Sequence, residues 1–429
     1  MMQKLSNEEA FLQIMQAEMS PALGCTEPIA VCYAAGAARR HAPGEIHRIS
    51  CKASVNIIKN VASVAIPGTG GRNGMKLACA LGAVKPDIDS KLEILSGLNE
   101  AQLEEALALT EKVSIEQAQV KCALYIEVEI ETDQHKARTI TQDSHLNTTY
   151  LEVDGEVKPM AGSGAEADET ESLYADLNLK TILDFASQVP LERLTVVQDA
   201  IRTNTAIAKE GLAREYGLQV GRTLSESVDK LMLSNDLATY AMMLASAGSD
   251  ARMAGSSLPA YSNSGSGNQG ITATMPVAAA AEKLGAGEEA LVRACTISNL
   301  VAIFIKHKLG KLSPVCGAII AATGASCGIV SLMGGALPQT VSAVKNMLGN
   351  VAGMFCDGAK ASCALKVSTC ANAAVQAAIL AMNTHFIKGT DGIVGNTADE
   401  TVANYCRVLA EGMPSLDQTL LDIIISKEA

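Results

Sequence analysis

The spacing of apolar and polar positions divides the chain into two regions. Residues 7–20 repeat apolar positions at helical spacing behind Ser6-Asn7-Glu8-Glu9, which has the form of a capping box opening a helix. PALGCTEPIAVCYAAGAAR (21–39) reads as a turn leading into a second helix, and HRISCKASVNIIKNVASVAIPGT (47–69) carries β-branched runs that stop at a Pro-Gly turn. KCALYIEVEIETD (121–133) then alternates apolar and polar residues with period two, and KARTITQDSHLNTTYLEVDG (136–155) continues the alternation up to Asp-Gly, which predicts an antiparallel strand pair. The acidic, Gly-bearing stretch 156–178 has no period and reads as a linker. From residue 178 onward helical spacing dominates, and no fixed-period repeat is visible. The pattern predicts an α+β chain. An N-terminal α/β domain with a small antiparallel sheet spans 1–170, and a larger, mostly α-helical domain spans 171–429.

A length of 429 residues exceeds the usual single core, which agrees with two domains. Trp is absent and aromatics make up only 3%, so Ala, Leu, Ile, Val and Met must build the core. The net charge of −12 would repel a polyanion, and no Lys/Arg stripe exists to overcome it, which excludes a nucleic-acid partner. The N-terminus lacks the basic-then-apolar pattern of a signal peptide. One stretch, Leu312–Ala343, carries no charge and contains a GxxxG at Gly324 and Gly328. Pro314, Thr323, Ser326, Pro338 and Gln339 interrupt it and no aromatic belt flanks it, so a buried helix pair is expected rather than a membrane span. The expected setting is the cytoplasm, without a membrane partner; a homo-oligomer is compatible with this reading.

That setting governs the 12 cysteines, because disulfides are improbable in a reducing compartment. CDGAKASC (356–363) places two thiols around a Gly, an acid and a Lys. No CxxC occurs, which excludes a zinc ribbon and a thioredoxin-type pair. Inert core thiols, a nucleophile with a His partner, and an iron–sulfur site all stay open from spacing alone. On one ideal helix Cys356 and Cys363 would stand roughly 10 Å apart along the axis, but Gly358 offers a break and Cys316 lies forty residues upstream. Gly265, Gly267 and Gly270 satisfy GxGxxG, yet neither a preceding strand nor βαβ alternation accompanies them, so the dinucleotide reading is rejected. Gly267, Asn268, Gln269 and Gly270 suit either a carboxylate at a helix N-terminus or a tight inter-helix loop.

SPALGCTEPIA (20–30), NSGSGNQGITATMPV (263–277), SPVCGAIIAATGASCGI (313–329) and GMFCDGAKASCALK (353–366) together resemble the L-cysteine desulfidase family, and more distantly the α portion of iron–sulfur L-serine dehydratases. The resemblance covers nearly the whole chain. It implies a helical domain like that of the dehydratase α portion and a 4Fe–4S cluster held by Cys316, Cys356 and Cys363, with Cys25 as an alternative ligand or a catalytic thiol. The seven-residue spacing of the loop is shorter than in the dehydratases, which bears on Cys363. It also implies the α,β-elimination of L-cysteine to pyruvate, ammonia and hydrogen sulfide, with no need of pyridoxal phosphate. Cys25, Glu27 and Lys360 are the candidates for the base, and the Asn268-Gln269-Gly270 loop is the expected carboxylate site, with Arg72 as a charge partner from the first domain. Cys295, Cys327 and Cys370 are expected to be core thiols.

Overall fold

The computed structural model describes residues 7–120, 122, 124–159, 173–310 and 313–427. Ser6 of the expected capping box and most of the 156–178 linker lie outside the described residues. The first region contains helix α1 (Asn7–Glu18), strand β1 (Pro21–Ala22), α2 (Thr26–Arg39), β2 (Ile46–Ala53), α3 (Val55–Val61), α4 (Met75–Val84), α5 (Glu100–Leu109), and strands β3 (Val113–Gln117), β4 (Tyr125–Thr132), β5 (Lys136–Gln142), β6 (Thr148–Val153) and β7 (Glu156–Val157). The alternation read from the sequence is the burial pattern of β4, where Ile126, Val128, Ile130 and Thr132 point inward. They cover α2, which α4 also packs against.

The sheet has six strands in the order β3-β2-β4-β5-β6-β7. It is mixed rather than wholly antiparallel, since β2 pairs β3 in parallel, Cys51 opposite Ile115. Parallel neighbours need a long crossover, which α3, α4 and α5 supply. The short alternation in VSIEQ gave no sign of a strand joined so far back.

The second region is helical: α6 (Leu179–Gln188), α7 (Thr195–Ala213), α8 (Val220–Asp229), α9 (Leu237–Met253), the two-residue β8 (Ala260–Tyr261), α10 (Gly267–Leu284), α11 (Glu288–Leu309), α12 (Gly317–Leu332), α13 (Leu337–Leu348), α14 (Cys363–Met382), α15 (Ala398–Gly412) and α16 (Leu416–Ile425). The described part of the uncharged stretch forms α12 and α13. Every residue of α12 from Ala318 to Val330 is buried, and the helix packs against α10, α11, α13 and α14. A helix that is apolar all round belongs at a centre. Among the described residues one helix, α14, has the length and mean hydropathy (1.3) to cross a membrane, and it packs on α9 and α12.

One buried core runs from Ile29 to Ala137, and another gathers Tyr174 to Leu409. Two elements bridge them. Helix α1, within the expected first domain, packs on the helical core, with Phe11 edge-to-face on Phe185 at 5.2 Å. Helix α16 reaches back to α3. The β1–β8 pair, Pro21 opposite Tyr261, draws the start of α2 against the loop that opens α10.

Candidate active site between the two cores

Cys25 is the N-cap of α2 and only 2% exposed. Its Sγ donates to Glu27 Oε2 at 2.9 Å, and Asn60 Nδ2 donates to Oε1 at 3.2 Å. Thr26 Oγ1 stands 3.1 Å from the same Oε2 and 2.8 Å from the Gly265 carbonyl, tying this corner to the Gly-rich loop. Burial alone would push the Glu27 carboxyl up; His145, the Cys25 donor and Arg252 together outweigh it and hold the group below its ordinary value. Burial and the Glu27 charge push the Cys25 thiol well up, against the pull of Arg252. The pair is therefore a neutral thiol donating to a carboxylate.

The Gly-rich loop is a helix start of the kind its sequence allowed. Ser266 caps α10, accepting from Gln269 N–H at 3.3 Å. Gln269 is 2% exposed and spends its amide on Asn263 Oδ1 at 2.8 Å, while Gly270 lies so close to the Tyr261 carbonyl that no side chain fits. Of the expected binding residues in this loop, Gln269 and Gly270 are thus absorbed by packing. Asn268 differs: its Oδ1 accepts from Ser249 Oγ at 3.2 Å, and its Nδ2 lies 3.3 Å from the Met253 thioether. Gly267 faces Arg252, whose Nε a Cβ at that position would overlap. Arg72 is exposed and donates to Thr69 O at 2.7 Å within its own turn. Among the described residues it makes no hydrogen bond to Glu27 or to the Gly-rich loop.

The thiols come together by strand pairing rather than along one helix. Val315 and Phe355 form an antiparallel bridge, with Cys316 N–H donating to Met354 O at 2.9 Å and Cys356 N–H to Pro314 O at 2.8 Å. Cys316 caps α12 and Cys363 begins α14. The turn between Cys356 and Cys363 folds back at Gly358, whose φ of 95° suits glycine and whose Cα would bring a side chain within 2.7 Å of Lys59 O. Asp357 grips this turn through Lys366 and through Lys360 at 2.7 Å. Lys360 also donates to Asp357 O at 2.9 Å, so it braces the loop and is not a free base. Lys59, 2% exposed, donates to Cys356 O at 3.0 Å and to Asp417 Oδ1 at 2.6 Å.

Burial raises the Cys316 thiol, and the charges of Cys356, Cys370 and Cys363 add to it. Burial also raises Cys363, with Cys356 contributing. These thiols therefore feel one another, and Cys363 packs in the same small apolar group as Cys25 and Met253. Cys295, Cys327 and Cys370 are fully buried in the helical core. Among the described residues no three His, Cys, Asp or Glu side chains converge as ligands of a single metal ion. A four-iron cluster asks for a different donor set, soft thiolates that each bind a separate iron. Three half-buried thiols from the start of α12, the turn and the start of α14 fit that demand.

Three basic side chains went unnoticed in the sequence. Arg252 is 3% exposed on α9, and its charge reaches Cys25, Glu27 and His145. Lys306 of α11 is half-buried and pushed down by burial, against Glu18, Cys356 and Glu27; among the described residues it has no ion pair or hydrogen bond. His145, at the β5–β6 turn, is pushed down by burial against the charge of Glu27. One signal was available for Arg252: it and Asp250 are the only charged residues between 237 and 261.

The central apolar helix, the thiol-bearing turn and strands β3 to β7 fall within one family match. Residues 89–422 match the model of the serine dehydratase alpha chain family, and the chain belongs to that family. More particularly, it is similar along nearly its full length to UPF0597 proteins. That of Oleidesulfovibrio alaskensis is 44% identical over 426 residues, covering 97% of this chain and 98% of the relative. That of Clostridium perfringens is 40% identical over 423 residues (98% and 99%), and that of Aeromonas hydrophila 42% over 420 residues (97% and 96%).

Proposed function

We propose that the protein is an iron–sulfur lyase that converts L-cysteine and water to pyruvate, ammonia and hydrogen sulfide. The observation that carries this reading is the meeting of Cys316, Cys356 and Cys363 beside the Cys25–Glu27 pair, where the two cores adjoin. Cys316, Cys356 and Cys363 would hold a 4Fe–4S cluster, which when bound supplies a Lewis acid for the departing sulfur. Cys25 then serves as the thiol that orients Glu27. A reducing cytoplasm would keep these cysteines available as thiolates for such a cluster.

The remaining chemistry belongs to side chains. The ionised Glu27 pairs with the substrate ammonium. Removing the α-proton needs a base, and our candidate is Lys306 Nζ, whose burial lowers its hold on a proton. It lies within electrostatic reach of both Glu27, the ammonium partner, and Cys356. Loss of the α-proton and of the β-sulfur leaves aminoacrylate, which tautomerises to the imine and takes up water, releasing ammonia.

The family description supports a second reading in which the leaving group is the hydroxyl of L-serine. Anaerobically purified protein offered L-cysteine and L-serine separates the two. We expect sulfide and pyruvate in equal amounts from L-cysteine, at a kcat/KM exceeding that for L-serine. Pyruvate from L-serine alone would establish the second reading, and no product from either, with no visible iron–sulfur absorbance, would leave a binding protein. Lys306→Met should lower kcat by roughly 10²–10⁴-fold.

A further inference from the structure

Arg252 and Asn268 share an unusual acceptor. Arg252 Nη1 lies 3.4 Å and Asn268 Nδ2 3.3 Å from the same atom, the Met253 sulfur. A thioether is a weak acceptor, and neither a buried guanidinium nor a carboxamide is satisfied by one. Arg252 Nε has no partner at all among the described residues, although the side chain is 3% exposed. Nor does an ion pair explain the residue: Glu27, the carboxylate its charge reaches, takes its hydrogen bonds from Cys25 and Asn60. A buried guanidinium without an oxygen acceptor is costly, and the surroundings tolerate it at the edge of the proposed active site. The backbone also makes room, since Gly267 is the one residue that lets the guanidinium lie against the first turn of α10.

We infer that Arg252 and Asn268 form the subsite for the substrate α-carboxylate, whose oxygens replace the Met253 sulfur as acceptor. This rests on the lyase reading and supplies its missing anchor. A carboxylate there accepts from Arg252 and from Asn268, which Ser249 holds in orientation. Glu27 and Lys306 remain for the ammonium and the α-proton, so the carboxylate, ammonium and hydrogen on the α-carbon meet three different groups. Arg72, exposed in its own turn, is replaced in this role by Arg252.

The test uses L-alanine, which carries the carboxylate and ammonium but no leaving group, and L-alaninamide, which lacks the carboxylate. Calorimetric titration of the anaerobic protein should show L-alanine binding and the amide binding much more weakly. Arg252→Gln should weaken L-alanine roughly 10- to 100-fold, with Arg252→Lys intermediate because it keeps the charge and loses the fork. Gly267→Ala keeps Arg252 but displaces it, and should weaken L-alanine comparably; it stands in if Arg252→Gln does not fold. Native-like variants that bind L-alanine as the wild type does, or a wild type that binds acid and amide equally, would overturn the subsite while leaving sulfide release from L-cysteine intact. Arg252-dependent L-alanine binding in a protein that releases no sulfide would instead retire the lyase reading and keep the subsite.

Discussion

Asp250 shows how much one side chain can reveal about its surroundings. It is fully buried on α9; Oδ2 accepts from Gly221 N–H at 3.0 Å, while Oδ1 has no partner among the described residues. Burial, only partly offset by the amide donors of Gly221 and Val220, pushes its pKa from 3.8 to about 6. Between those values the folded chain holds a proton that the unfolded chain has lost. The group's contribution is therefore most favourable below the lower value and declines as pH rises through the upper one. Asp250→Asn should gain stability over the wild type at pH 7.5, on the order of 1–3 kcal/mol, and gain clearly less at pH 5. Denaturant midpoints at the two pH values check this, and an equal gain at both would argue against it. Thiols can be sorted just as directly. Cys316→Ser should lose both iron–sulfur absorbance and sulfide release, whereas Cys25→Ser, if Cys25 only orients Glu27, should keep the absorbance and lose turnover. The candidate residues Cys25, Glu27, Cys316, Cys356 and Cys363 stood out in the sequence because unusual residue types cluster in short motifs. Lys306 did not, and Arg252 only by its isolation among uncharged residues, because what marks both is the lack of a nearby oxygen acceptor among the described residues.

At the scale of elements, the turn from Cys356 to Cys363 is held from outside its own helix. Lys59 of α3 joins the Cys356 carbonyl to Asp417 of α16, so the chain's last helix braces the thiol-bearing turn through a buried lysine. Removing one partner of a buried ion pair strands the other. Asp417→Asn should therefore destabilise the protein by about 3 kcal/mol and hasten loss of iron–sulfur absorbance in air, with Lys59→Met milder because Asp417 retains access to water. Paired unfolding and bleaching curves measure both effects; unchanged bleaching would mean that α16 does not secure the turn. The sequence announced most helices and an antiparallel strand pair over 121–155, since period and turn chemistry are local, though residues 136–155 form two strands, β5 and β6, and not one. It could not announce the parallel β2–β3 pair or the brace from α16, because both depend on segments far apart in the chain.

The whole molecule places two cores side by side, with α1 crossing to the helical core and α16 crossing back. Each core contributes to the site: Cys25, Glu27 and Asn60 from the first region, and Arg252, Asn268, Lys306 and the three thiols from the second. Composition foretold a centre of small aliphatic residues, and α12 is that centre. It could not foretell that the candidate site residues would lie where the regions meet, since that follows from the β1–β8 pairing. The most direct test of the central claim is sulfide released from L-cysteine by anaerobically prepared wild type and Cys356→Ser, measured with the visible absorbance of each. The account predicts an absorbing, sulfide-producing wild type and a variant that has lost both. Sulfide production undiminished in Cys356→Ser would contradict it.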